Sequence, residues 1–422
     1  MKRNSFSSVK MDRRNPKWLY ATKRYRPLYK RENEIRSEFT RDYNRILHCT
    51  AYRRLKHKTQ VFFATQNDHI CTRIEHVNYV TSVSYSISNY LGLNTELTSA
   101  IAIGHDLGHA PFGHAGEMIL KQIAKRELKE NFWHEKNSLR FVDQLETLPD
   151  PYGREYNLNL TYAVRDGIIL HCGEVDEGRI SPRKKILDLE NIKKPGQYSP
   201  YTWEGCVVKI ADKISYLGRD IEDALRLKII SPFRIRELHG ILKRVADIRI
   251  KELNTTGLMH NFIWNLCETS SPKSGIQFSD SHLRFIKSLK DYCYKEIYNH
   301  KRISMYKEYA KLVINSIFKA LKSFYKNENT LRVIQGEKKL YPILLSQFEE
   351  WLLKYSNLRV NPILRASLIR KDAKIVLFRK YENMVVYDIL NRKDYLQAVV
   401  DFISGMTDSF AIRVFTELTS FY

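Results

Sequence analysis

The fourteen residues from Gly104 to Glu117, GHDLGHAPFGHAGE, hold three histidines and two carboxylates directly after the apolar run LTSAIAI. Imidazole and carboxylate are the ordinary nitrogen and oxygen ligands of divalent metals such as Mn, Fe, Ni, Zn and Mg. Imidazole is also the usual proton carrier near neutral pH. His105 and Asp106 are adjacent, so on a regular helix their side chains diverge by about 100°. Both reach one ion where the helix ends, and there the free carbonyls also favour a cation. Pro111 cannot continue a helix, so the helix is expected to end between Gly108 and Pro111, leaving His109 and His114 on a turn that faces the same cavity. A mononuclear site needs further ligands, and His76 in TRIEHV and Asp212 in VVKIADKISYLGRDIEDA are the candidates. Asp212 follows an apolar run, and a buried carboxylate demands a partner that a metal supplies. A single histidine on an apolar helix is ordinarily a satisfied core residue, and a single aspartate an ordinary ion-pair partner. The order H…HD…D on successive helices is a rarer coincidence. His171–Cys172 is only a lone His-Cys pair, a weak metal signal.

The elements that must position these groups read as helices, since apolar residues recur at three- and four-residue spacing and strand signals are sparse. One helix is expected over 75–93, stopped by Gly92. The next, over 94–106, starts at Asn94 or Thr95 as N-cap, with Glu96 in its first turn. Others follow over Ala115–Glu127, from near Trp133, and from Glu204 to Leu227. Residues 149–160, 177–203 and 268–280 read as loops rich in Pro, Gly and charge or in small polar residues. The remainder is helical to about Leu340, with short strands expected near Ala373–Phe378. On the 204–227 helix, Asp212, Tyr216 and Asp220 form an i, i+4, i+8 row on one face.

The constellation resembles the HD superfamily of metal-dependent phosphohydrolases, and longer stretches are similar to its deoxyguanosine triphosphate triphosphohydrolase family. These are RSEFTRDYNRILHCTAYRRLKHKTQVF (36–62) with DHICTRIEHV (68–77), then GHDLGHAPFGHAGE, KIADKISYLGRDIEDA (209–224) and DFISGMTDSFAIRVFTEL (401–418). Residues 34–235 carry most of the likeness, and 236–400 match only as generic helical sequence. The resemblance implies a mostly α fold, an HD-domain helical bundle with an additional C-terminal helical region. Its parts would be a basic N-terminal extension (1–33), an HD core (34–235) and a C-terminal region (236–422) that completes the substrate site and oligomer contacts. It implies hydrolysis of a deoxynucleoside triphosphate (dNTP), dGTP or a broader set, to the deoxynucleoside and inorganic triphosphate. His76, His105, Asp106 and Asp212 would hold a divalent Mn, Mg, Fe or Ni ion.

His109, His114 and His134 are the available general acids and bases. By similarity to a vertebrate relative with SAM and HD domains, Glu117 stands behind His134 and raises its basicity. Arg73 and Lys213 would meet phosphate, Tyr216 would pack on the sugar, and Asp220 and Gln60 would bond its 3′-hydroxyl. Two departures stand out. Gly218-Arg219 replaces an Asn-His common before the acid at 220, and Cys71 replaces a common Arg in the DHxRTR pattern. The resemblance also implies a homo-oligomer, hexamer or tetramer, in some members with an allosteric nucleotide.

The 422 residues suffice for a large core, and no apolar run is long enough to span a bilayer. The basic start MKRNSFSSVKMDRRNPK lacks a signal-peptide apolar segment, and six scattered cysteines without CxxC spacing suit a reducing compartment. A cytoplasmic protein without membrane partners is expected. The net charge of +23 attracts polyanions or is spread over solvated helix faces. It keeps open an HD phosphodiesterase or nuclease acting on single-stranded nucleic acid, as well as a latent dNTPase that awaits an effector nucleotide or partner.

Overall fold

A computed structural model describes residues 5–29, 33–62, 69–172, 178–245, 254–359, 361 and 385–420. The strands expected near Ala373–Phe378 lie outside the described residues. The fold is mostly α-helical. A single turn, α1 (Trp18–Ala21), leads to α2 (Glu38–His48) and the short α3 (Thr50–Arg54). The helices that carry the chemistry follow: α4 (Arg73–Leu91), α5 (Thr95–Gly104), α6 (Gly113–Glu127), α7 (His134–Arg140), α8 (Tyr162–Leu170) and α9 (Trp203–Arg226). Then come α10 (Pro232–Val245), α11 (Thr255–Thr269), α12 (Asp280–Cys293) and α13 (Lys301–Ser323). The last four among the described residues are α14 (Thr330–Glu337), α15 (Pro342–Tyr355), α16 (Arg392–Gly405) and α17 (Asp408–Thr419).

Helix α5 is the axis of the fold. The Asn94 side chain caps it by accepting from the N–H groups of Glu96 and Leu97, and nearly every later residue of the helix is buried. It packs against α2, α4, α8 and α9, so its apolar run LTSAIAI meets helices on all sides. The approach to α8 is unusually close. A Cβ on Gly104 would stand 2.8 Å from Ile168, and one on Gly167 would stand 2.6 Å from Ile101. Helix α4 opens on a capping box of Thr72 and Glu75 and closes on Gly92, which takes the left-handed conformation at φ 78°. On the other side, α6 lies against α13 and α16, and α13 packs on α17.

All three expected loops take part in short antiparallel pairings. Thr147–Pro149 pairs with Glu155–Asn157 around a turn whose Gly153 has φ 77°. Arg179–Ile180 pairs with Ile276–Gln277, tying the 177–203 segment to the 268–280 segment. Pairs two or three residues long leave no alternation in the sequence to read. The N-terminal residues from Ser5 lie on the core. Phe6 is fully buried against Trp203, ring centroids 5.0 Å apart, and its N–H donates to Leu91 O. No helix among the described residues is long and apolar enough to cross a membrane.

Candidate metal centre and active site

Helix α5 ends at Gly104, earlier than Pro111 alone would dictate, and His105 to Gly108 form a turn. The cause lies on α7. Ser138 Oγ donates to the His105 carbonyl (2.8 Å) and accepts from the Gly108 N–H (2.9 Å), while Asn137 donates to the Gly108 carbonyl (2.6 Å). These bonds replace the helical ones that the turn gives up. A Cβ at Gly108 would sit 2.1 Å from Ser138 N, so only glycine permits the contact.

The turn aims His105 and Asp106 between α4 and α9, where His76 and Asp212 wait. His76 Nε2 is 3.1 Å from Asp212 Oδ1, and His105 Nε2 is 3.7 Å from that oxygen and 3.6 Å from Asp106 Oδ1. Ligands of one ion at about 2.1 Å stand about 3–4 Å apart, so these separations suit a shared divalent cation. His105 Nδ1 donates to Ala102 O (2.6 Å), which leaves Nε2 with its lone pair; Nε2 is buried and has no hydrogen-bond partner among the described residues. An orphaned imidazole nitrogen facing two carboxylates is a donor set that fits a metal. Burial pushes both carboxyls up, yet their neighbours outweigh it. His109, His105 and Arg73 hold Asp106 well below the usual carboxylate range, and the His76 bond with His105 does the same for Asp212.

A second histidine group adjoins the first. The His109 ring stacks on His134, centroids 3.9 Å apart, and His109 Nε2 is 3.1 Å from Asp106 Oδ1. His134 Nδ1 lies 3.1 Å from Glu117 Oε1, and that oxygen also accepts the His134 backbone N–H at 2.9 Å. The two imidazoles are driven apart in acidity. Burial, then the nearby Arg73, keeps His109 well below the ordinary histidine value. Burial also disfavours the imidazolium of His134, but Glu135 and Glu117 override it and raise the ring to about 10. His114 is exposed on the first turn of α6, with Nδ1 3.4 Å from Glu117 Oε2.

The remaining residues expected at the site divide. Gln60, Tyr216 and Asp220 line one narrow pocket together with His76, and Gln60 Oε1 is buried there without a hydrogen-bond partner among the described residues. Asp220 accepts from the Tyr298 hydroxyl (2.6 Å), and burial pushes its carboxyl up to about 7. Lys213 is buried on α9. Arg73, expected to meet phosphate, is buried with NH1 2.6 Å from Asp106 Oδ2. Any phosphate must share that guanidinium. The two departures have local explanations. A Cβ at 218 would stand 2.8 Å from Thr255 Cα, so Gly218 lets α11 start against α9, while Arg219 lines the pocket and lies over the Tyr79 ring. The Cys71 N–H donates to Asp223, and burial raises its thiol to about 12, an inert cysteine.

Several residues around the site escape a reading by motif. Asp408, at the start of α17, accepts from the N–H groups of Thr59 (2.9 Å) and Phe112 (2.8 Å), and Phe112 holds the left-handed conformation at φ 67° just before α6. Buried Lys58 donates to the carbonyls of His109 and Ser404. Residues Ser404 and Asp408 thus help pin the turn that follows α5. His171 and Glu135 also face the centre, and one signal points to His171. It follows the short apolar stretch GIIL at the end of α8 as His105 follows its own apolar run, and its Nδ1 likewise donates to a carbonyl three residues back, Ile168 O, at 2.6 Å.

A family model described as HD domain matches residues 73–217, the span from Arg73 through Asp212. The chain is 36% identical to a deoxyguanosinetriphosphate triphosphohydrolase-like protein of Caldanaerobacter subterraneus subsp. tengcongensis, over 68% of this chain and 72% of that one. It is 30% identical to one of Rickettsia bellii, over 91% of this chain and 92% of the relative. The chain belongs to the deoxyguanosinetriphosphate triphosphohydrolase-like family of HD-domain proteins. A protein of Desulfatibacillum aliphaticivorans with the same description is 35% identical over 67% of this chain and 73% of its own. HD-domain hydrolases are metal-dependent, and this dGTPase-like chain has His/Asp clusters able to bind a metal ion.

Proposed function

We propose that the protein is a metal-dependent dNTP triphosphohydrolase that converts dGTP, or a broader set of dNTPs, to deoxynucleoside and inorganic triphosphate. The observation that carries this reading is the donor group of His76, His105 and Asp212, with Asp106 Oδ1 3.6 Å from His105 Nε2, beside the Glu117–His134 pair and with the Gln60, Tyr216 and Asp220 pocket opening on His76. Those four residues would hold a Mn, Mg, Fe or Ni ion. When bound, the ion supplies polarisation of the α-phosphate and lowers the pKa of water.

The rest falls to the chain's own groups. A water attacks the α-phosphorus as the bond to the sugar 5′-oxygen breaks. His109 is neutral, and its Nδ1 is buried without a partner among the described residues, so it suits accepting the water's proton. His134 is protonated, so it suits giving one to the departing 5′-oxygen. The opposed acidities of stacked rings match the two halves of the reaction. His114 stands at the open rim, where α6 begins and where phosphate charge is favoured. Arg73 and Lys213 add positive charge. Tyr216 closes on the sugar and leaves a 2′-hydroxyl little room, while Asp220 and Gln60 bond the 3′-hydroxyl.

The division into an HD core (34–235) and a C-terminal region (236–422) is part of the same proposal, as are a cytoplasmic location and a hexamer or tetramer with an allosteric nucleotide. Purified protein with manganese is assayed against the four dNTPs, the four NTPs, dNTP mixtures and single-stranded DNA. Triphosphate release from at least one dNTP, with ribonucleotides slower, is expected, and mixtures expose an activating nucleotide. Oligonucleotide shortening with no triphosphate released overturns the reading in favour of a nuclease. Light scattering after size exclusion tests the oligomer, and a strict monomer overturns that part.

A further inference from the structure

The two departures from the family pattern, at Cys71 and Arg219, meet in the wall of one pocket. Cys71 stands where an Arg is common, and Arg219 brings a guanidinium to a position where a His is common. Burial raises the Cys71 thiol, and among the charges around it Arg219 acts most strongly, in the opposite direction. A guanidinium missing at position 71 is thus present at the same pocket wall, carried by α9.

Arg219 has no hydrogen bond or ion pair among the described residues. Its guanidinium lies over the Tyr79 ring, 5.8 Å from the centroid, a contact that holds the fork without using its N–H donors. Those donors are left for acceptors on a bound molecule.

The position on α9 decides which part of a nucleotide supplies them. Arg219 follows Asp212 by two helical turns, so it shares that face about 10 Å further along the axis. In the reading above, Asp212 marks the metal and triphosphate end, and Tyr216, lying between, packs on the sugar. Arg219 therefore stands beyond the sugar. His76 and Asp220 are buried walls of the pocket, whereas Glu75 is exposed and Arg219 partly so, and the pocket opens on their side. A further phosphate at that rim would meet the Glu75 carboxylate as well as the guanidinium. A neutral base edge with acceptors meets no such repulsion. Among the bases guanine presents two acceptors side by side, O6 and N7, which match the parallel N–H groups of the fork.

We propose that Arg219 reads the nucleobase, donating to O6 and N7 of guanine and making the pocket selective for dGTP. The inference rests on the dNTP reading of the site, and equilibrium binding separates the two claims because it needs no turnover.

The metal-free full chain is titrated in a calorimeter with dGTP, dITP, 7-deaza-dGTP and dATP. The base of dITP keeps O6 and N7 and lacks only the exocyclic amine. That of 7-deaza-dGTP has lost N7, and that of dATP turns a donor toward the guanidinium. Binding of dGTP and dITP should be alike, and that of the other two about ten-fold or more weaker, the worth of a two-bond contact to guanine. Arg219→Gln should erase the difference by weakening dGTP and dITP. Arg219→Lys keeps the charge without the fork and should bring dGTP and 7-deaza-dGTP close together. Melting curves check that both variants fold, and Arg219→Lys carries the test if Arg219→Gln does not. Equal binding of all four nucleotides, binding of none, or a guanine preference that survives both folded variants overturns the assignment. Triphosphate release with Mn(II) is measured on the same samples. Release without any base preference leaves the dNTP reading standing and removes the role of Arg219. A preference that depends on Arg219, with no triphosphate released, keeps that role and overturns the reading.

Discussion

A proton on His134 is held from two sides, by Glu117 at 3.1 Å and Glu135 at 3.4 Å from Nδ1, and stacked His109 stays neutral at its face. Neutralising Glu117 removes one of the charges that favour the imidazolium, so the His134 pKa must fall. In Glu117→Gln the alkaline limb of the kcat profile should move to lower pH, with kcat at neutral pH lowered about 10²-fold or more and metal content unchanged. A limb that does not move refutes the pairing. Asp220 makes a stability prediction. Burial raises its folded pKa to about 7, from 3.8 when unperturbed, so between those values the folded chain holds a proton that the unfolded chain has released. Stability therefore falls as pH rises from about 4 to 7, each unit of difference being worth about 1.4 kcal/mol. Asp220→Asn has no such proton and should lose less melting temperature between pH 5 and pH 8; equal losses would refute the shift. The proposed metal ligands were legible as candidates in the sequence because type, order and apolar context coincide at His76, His105, Asp106 and Asp212. The partner of Asp220 was not, because Tyr298 arrives from beyond α12 in a segment with no chemical pattern of its own.

Helix boundaries show where local sequence decides and where it does not. Asn94 and Gly92 act through their own side chain or its absence, and both were readable as a cap and a stop. The end of α5 is decided by Ser138, a residue on another helix, so a reading from Pro111 places it too late. The crossing of α5 and α8 is equally non-local. Gly104 and Gly167 look like ordinary glycines until each is seen to make room for an isoleucine of the other helix. That crossing brings His171 to the centre and explains why a lone His-Cys pair carried so little signal. Ser138→Ala would leave the His105 carbonyl and the Gly108 N–H unpaired in the interior, a cost of about 1–3 kcal/mol for each group. The expected result is a lower melting temperature together with weaker Mn(II) binding, read by metal titration of the folded variant. Metal affinity equal to that of the unmodified protein would mean that the turn holds His105 and Asp106 without Ser138.

Across the whole molecule, the helical class follows from periodicity, but the role of the basic N-terminus does not follow from composition. Lys and Arg near the start suggest an arm for polyanions, and the net charge of +23 encourages that view. The packing assigns the segment different work. Phe6 is buried against Trp203 at the start of α9, and the Met11 N–H donates to the buried Glu204 carboxylate (2.9 Å), which also accepts the Asn94 N–H (3.0 Å). Asn94 in turn donates to the Met11 carbonyl (2.6 Å). The strap therefore joins the N-terminal ends of α5 and α9, the two helices that lead to His105 and carry Asp212. Deleting residues 1–12 exposes the apolar seat of Phe6, worth about 1.5–3 kcal/mol, and leaves Glu204 buried with one donor fewer. A lower melting temperature with a cooperative transition is expected, along with reduced Mn(II) affinity as α5 and α9 lose their common anchor. If the segment were only a polyanion arm, the deletion would leave melting unchanged and would instead flatten the salt dependence of oligonucleotide binding. Melting and salt titration of the same truncated protein therefore separate a structural strap from an electrostatic one.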